Sequence, residues 1–172
     1  MKDASLDRMT LIGNALIEEA AKKSGLLWIE GRALWHVWHE GAVHVLGDGP
    51  AEQPLDGLDD GGTAVIVARS KDKGGRLVSW PVRITELAPD SEAWQAAAAE
   101  LKGKRLNAHD GEKAVERWAK ECRLLRLEAS GPADTEAPDG SLAAPPVSSP
   151  AVTRRPIPAA LPRLLFRRKA RR

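Results

Sequence analysis

Residues 63–87 read TAVIVARSKDKGGRLVSWPVRITEL, two strand-like apolar runs around a basic loop, Arg69-Ser70-Lys71-Asp72-Lys73-Gly74-Gly75-Arg76. In the second run Val78, Trp80, Val82 and Ile84 alternate with Ser79, Pro81, Arg83 and Thr85, the period of a strand with one buried face. The spacing predicts strands over 63–70 and 76–87, joined as a hairpin. Pro81 offers no N–H to a ladder, which places its strand at a sheet edge or puts a bulge there. Four cations, a hydroxyl and two permissive glycines within eight residues suit a phosphate-sized anion if a sheet holds them still. The same loop also reads as a solvated turn whose charges keep a sheet soluble.

Upstream, Leu6, Met9, Ile12, Leu16 and Ala20 recur three or four apart and predict a helix from about Ser5 to Lys23, ended by Ser24-Gly25. Leu26–Glu30 is a short strand, and Gly31-Arg32 turns the chain. Ala33–His39 and Ala42–Leu46 then form a hairpin around Glu40-Gly41. In that hairpin Trp35, Val37, His39, Ala42, His44 and Leu46 share one face, and Leu34, His36, Trp38, Val43 and Val45 the other. Both faces are largely apolar, so both are expected to be covered, as in a closed barrel or at a subunit interface. The polar connection Gly47–Gly62 contains one anchoring turn, Gln53-Pro54-Leu55. Downstream, Asp90 or Ser91 caps a helix with Trp94, Ala97, Ala98 and Leu101 on its apolar stripe. A shorter helix around Glu112–Glu121 and a last strand, Cys122–Leu127, complete the pattern.

Composition divides the 172 residues unevenly. Residues 1–128 hold 18 Lys+Arg against 21 Asp+Glu, residues 129–172 hold 8 against 3, and eight of the twelve prolines follow Ser130. A folded domain over 1–128 and a Pro/Ala-rich, basic, disordered tail over 129–172 are expected. The mildly acidic body argues against a specific nucleic-acid-binding domain. The tail's Leu164-Leu165-Phe166 and flanking arginines suit contact with an acidic surface, or simple solvation. A single cysteine, Cys122, excludes an internal disulfide and fits a reducing compartment. Met1–Thr10 has no signal-peptide pattern, and no apolar run reaches the roughly 20 residues that span a bilayer, so a cytoplasmic protein is expected. His39 and His44 alone make a poor metal site, and no metal is expected. No Ser/His/Asp constellation has readable spacing, which leaves any catalytic residue unknown.

The order helix, three strands, polar connection, two strands around a basic loop, helices and final strand resembles the pyridoxamine-phosphate-oxidase-like flavin-binding split barrels. Leu34-Trp35-His36-Val37-Trp38, Val67-Ala68-Arg69-Ser70-Lys71 and Gly75-Arg76-Leu77-Val78-Ser79-Trp80 look like small actinobacterial members of that superfamily. The resemblance covers roughly residues 5–128. It implies a mainly β fold with flanking helices, a split β-barrel that forms a homodimer, and FMN in a groove between subunits, with deazaflavin or haem as alternatives. It further implies that Arg69, Ser70 and Lys71 hold the cofactor phosphate, with Lys73 and Arg76 as further ligands and Trp80 or Trp35 against the flavin ring. The activity implied is that of a flavin-dependent oxidoreductase of unknown substrate. The alternative is a non-catalytic dimeric binding module that uses its basic tail on an acidic partner.

Overall fold

The computed structural model describes residues 3–71, 74–104 and 113–136, with side chains from residue 11 onward. The chain divides into two compact units, Met1–Pro138 and Asp139–Arg172. The second unit, and with it residues 137–172 of the expected disordered tail, lies outside the described residues; residues 129–136 of that expected tail are described.

Helix α1 (Asp3–Lys23) leads into strands β1 (Leu26–Ile29), β2 (Arg32–Trp35), β3 (Val37–His39), β4 (Ala42–Gly47), β5 (Thr63–Arg69) and β6 (Arg76–Glu86). Helices α2 (Glu92–Lys104) and α3 (Ala114–Glu121) and strand β7 (Arg123–Ala129) follow. The seven strands make one sheet in the order β2-β1-β5-β6-β7-β4-β3, with every neighbouring pair antiparallel. Its two edge strands, β2 and β3, are consecutive in the chain and separated only by His36. The sheet therefore curls until its edges are tied covalently at one corner, giving a nearly closed split barrel with flanking helices.

That corner corrects the expected hairpin. Residues 33–39 are two strands with different partners: Leu34 pairs with Leu27 of β1, whereas Trp38 pairs with Val43 of β4. The alternation of faces nevertheless runs through the break. Leu34, Trp38, Val43 and Val45 join the barrel core around Ile66, Trp80 and Leu125, while Trp35, Val37 and Leu46 join Trp94, Leu101 and Trp118 of α2 and α3 outside it. β4 has no exposed residue because it is covered on both faces. Each fully buried large aliphatic side chain in these clusters contributes roughly 1.5–3 kcal/mol.

The hairpin turns are Glu30-Gly31 and Glu40-Gly41, the first one residue earlier than expected. All four residues have positive φ (46° and 78°, 45° and 73°), the two-residue turn that matches strand twist. Ser91 caps α2, its Oγ accepting from the Trp94 N–H at 3.1 Å. β6 lies inside the sheet, not at an edge, and Pro81 occupies the break in its second ladder. Val82 pairs with Ala129 of β7, but Ser79 pairs with Asp134, so the partner chain loops around the proline. Residues 130–136 thus continue along β6 beyond β7. Among the described residues, no helix is long and apolar enough to cross a membrane.

Candidate functional site

The last turns of α1 and the loop between β5 and β6 enclose a groove of about 610 Å³. Its apolar walls are Leu16 and Ala20 of α1 with Leu77 and Val78 of β6. Lys23, Arg69 and Lys71 supply cations, and Glu19 supplies the one acid among the lining residues. A smaller recess of about 390 Å³ shares Ser24, Arg69 and Lys71 with it and adds Leu26, Trp28 and Ser70. Arg69 and Lys71 thus stand where two concave surfaces meet.

Local backbone geometry fixes their positions. The β5–β6 register shifts between Ala68 and Arg69. The loop is then pinned by the Ser70 N–H donating to Gly75 O at 2.8 Å and the Gly74 N–H donating to Ser70 O at 2.9 Å. Gly74 has a φ of 67°, which a side chain would strain. The Arg69 guanidinium stacks 4.2 Å above the Trp28 ring. Stacking uses the face of the guanidinium and leaves its in-plane donors for an anion. Lys23 is paired with Glu19 four residues earlier. Among the described residues neither Arg69 nor Lys71 has an acidic partner. Two uncompensated cations beside a half-buried serine suit a phosphate or carboxylate.

Of the residues expected at a phosphate site, Arg69, Ser70 and Lys71 are brought together here. Lys73 lies outside the described residues. Arg76 is engaged elsewhere: its Nη1 donates to Asp134 Oδ2 at 3.0 Å and to Ser79 Oγ at 3.4 Å, and its Nη2 donates to Glu136 O. Trp80 is 1% exposed inside the barrel and does not line the groove. Trp35 packs beside the α2–α3 cluster on the other side of the sheet. The aromatic residue that reaches the cations is Trp28, which sequence reasoning did not select. Its signal was its alternation with Leu27 and Ile29, both fully buried, which turns Trp28 outward.

The histidines form a separate set. His39 and His44 meet edge to face, ring centroids 5.9 Å apart, and His44 is 1% exposed. Burial, then the nearby Arg126 charge, then His39 push the His44 pKa down to about 4. Burial is also the main cause that lowers the His36 pKa, opposed by its contact with Ala21 O. Among the described residues, no group of three or more His, Cys, Asp or Glu side chains is placed to hold a metal ion.

No family model and no curated protein sequence matches the chain. Among solved structures it is similar to HutZ, the heme storage protein from Vibrio cholerae, at 15% identity and a TM-score of 0.49, over 69% of this chain and 91% of that one. It is also similar to a putative general stress family protein from Xanthomonas campestris pv. campestris, at 15% identity and a TM-score of 0.48, over 81% of this chain and 97% of that one. At such identity neither neighbour assigns a role to any residue of this chain.

Proposed function

We propose that this protein binds FMN in the groove between α1 and the β5–β6 loop, with Arg69, Ser70 and Lys71 on the phosphate and the apolar walls against the flavin. One observation carries the reading: Arg69 and Lys71, without acidic partners among the described residues, line a groove with apolar walls whose other two charges, Glu19 and Lys23, pair with each other, on a barrel whose sequence resembles flavin-binding split barrels. Volume and character suit such a ligand, since small-molecule sites are commonly 300–1,000 Å³, apolar, and oriented by a few polar groups. The ring contacts are aliphatic, from Leu16, Leu77 and Val78, with Trp28 at the phosphate end. Bound flavin would supply the electron-transfer chemistry of an oxidoreductase, while the chain binds and orients it. Leu26 and Leu77, 53% and 56% exposed and lining the two recesses, are the surface a second copy would cover in the homodimer this reading includes. The reading also places the protein in the cytoplasm.

Titration of the purified protein with FMN, deazaflavin and haem, followed by absorbance and fluorescence, tests the proposal. Saturable FMN binding is expected. Arg69→Ala and Lys71→Ala should each raise the Kd about tenfold or more, as befits loss of a hydrogen bond to a charged group. Both residues are exposed, so melting should barely change. Failure to bind FMN, or binding indifferent to both substitutions, rejects the reading. Preferential binding of deazaflavin or haem would redirect the same groove to that cofactor.

A further inference from the structure

Arg76 pairs with Arg69 across the β5–β6 ladder, but its guanidinium is engaged with the chain after β7, and what it holds is the segment that brings Thr135 to the groove. After β7 the chain continues along β6 as a strap. The Asp134 N–H donates to Ser79 O at 2.7 Å, and the Ser79 N–H donates to Asp134 O at 2.9 Å. Ala133 packs on the barrel core. A Cβ on Gly131 would come within 2.8 Å of Pro81 Cγ, so glycine is what lets the strap lie this close. Arg76 then grips both sides of Thr135, through the Asp134 carboxylate and the Glu136 carbonyl. The Asp134 carboxylate also accepts from the Glu136 N–H at 2.9 Å, which closes the turn around Thr135. Thr135 itself lines the large groove together with Leu16 and Ala20.

We propose that Arg76 is a positioning residue that fastens residues 130–136 as one wall of the ligand groove, and that it does not bind the ligand's phosphate. Both terminal nitrogens of its guanidinium are already committed within the strap and β6. Lysine would replace its charge but not the fork that reaches two acceptors at once. The inference rests on the proposed FMN site for its ligand, but the clamp can be read independently.

The experiment combines FMN titration with hydrogen exchange at the Ser79 and Asp134 amides in the full chain. Arg76→Ala and Asp134→Asn should both speed exchange at these amides and raise the FMN Kd about fivefold or more, the lower range for coupled sites. Arg76→Lys should fall short of wild type in both readouts. The double variant should bind FMN no worse than the weaker single variant, because both substitutions release the same clamp. A directly phosphate-binding Arg76 predicts the opposite for Asp134→Asn, which would free the guanidinium and leave the Kd unchanged or lower. That result, or unchanged exchange in both single variants, overturns the proposal. Wild-type protein that does not bind FMN overturns the functional reading and the groove-wall role with it, while the exchange data still decide the clamp.

Discussion

His44 shows how much one buried side chain can set. It pairs with Arg126 across the β4–β7 ladder and its ring meets that of His39, and protonation there is opposed by desolvation first and by both neighbours after it. Its folded pKa is about 4 against an ordinary 6.5, so the unfolded chain takes up the proton first as pH falls. The stability due to a neutral His44 is therefore complete above about pH 6.5 and is lost as pH falls toward 4. At pH 5 the loss from this residue is about 2 kcal/mol, and His36 adds to it in the same direction. His44→Gln should melt closer to wild type at pH 5 than at pH 7 in urea titrations. A pH 5 to pH 7 stability difference as large as in wild type would reject this. The candidate site was only partly legible at this scale. Arg69, Ser70 and Lys71 stand out because local cations between strands are visible in sequence. Leu16, Ala20, Trp28 and Leu77 join them only through the packing of α1 and the β1–β5 pairing, which no local pattern encodes. The alternation that identifies β6 already puts Trp80 with Val78, Val82 and Ile84 on the buried face.

Elements were more legible than their partners. Periodicity located the helices and strands and assigned the hairpin faces correctly, because facing depends on alternation alone. It missed the break at His36, since a strand that changes partners keeps its alternation. The adjacent Leu124 and Leu125, an apparent flaw in β7, serve two cores: Leu124 meets α2 and α3, and Leu125 faces the barrel interior. At the split, a side chain substitutes for a missing ladder. Gln53 Oε1 accepts from the Trp35 N–H at 2.9 Å, and its Nε2 donates to Trp35 O at 2.9 Å and Leu46 O at 3.0 Å. The amide thus acts as a peptide unit between β2 and β4. Close packing holds it there, since a Cβ on Gly47 would lie 2.2 Å from Gln53 O. Gln53→Ala removes three hydrogen bonds at the barrel corner and should cost about 3 kcal/mol in urea unfolding. Gln53→Glu retains the acceptor and loses both donations, so it should also destabilise. A Gln53→Ala variant as stable as wild type would show that the split needs no such stitch.

At the level of the whole molecule, composition and contacts change at different places. Proline and small polar residues begin to dominate after Ala129, yet Ser130–Glu136 still run along β6, and the division into compact units falls at Pro138. The discrepancy has a physical reason: a strap held by backbone bonds and one arginine needs no apolar periodicity, so Gly131, Pro132 and Ala133 read as tail. The acidic body and the basic 139–172 segment are therefore best separated after Pro138. A chain ending there keeps the Ser79–Asp134 bridge, the Arg76–Asp134 pair and the Ala133 contact, and should melt with the full-length protein. A chain ending after Ala129 loses all three and leaves Arg76 without its acceptors in the strap. With the Ser130 N–H bond to Pro81 O also gone, three backbone bonds and a partly exposed ion pair together amount to roughly 3–4 kcal/mol, enough to lower the melting temperature by several degrees. The two truncations should also differ in the groove, because only the longer retains Thr135. Calorimetry on both chains checks this, and equal melting temperatures would mean that the strap contributes nothing to the fold.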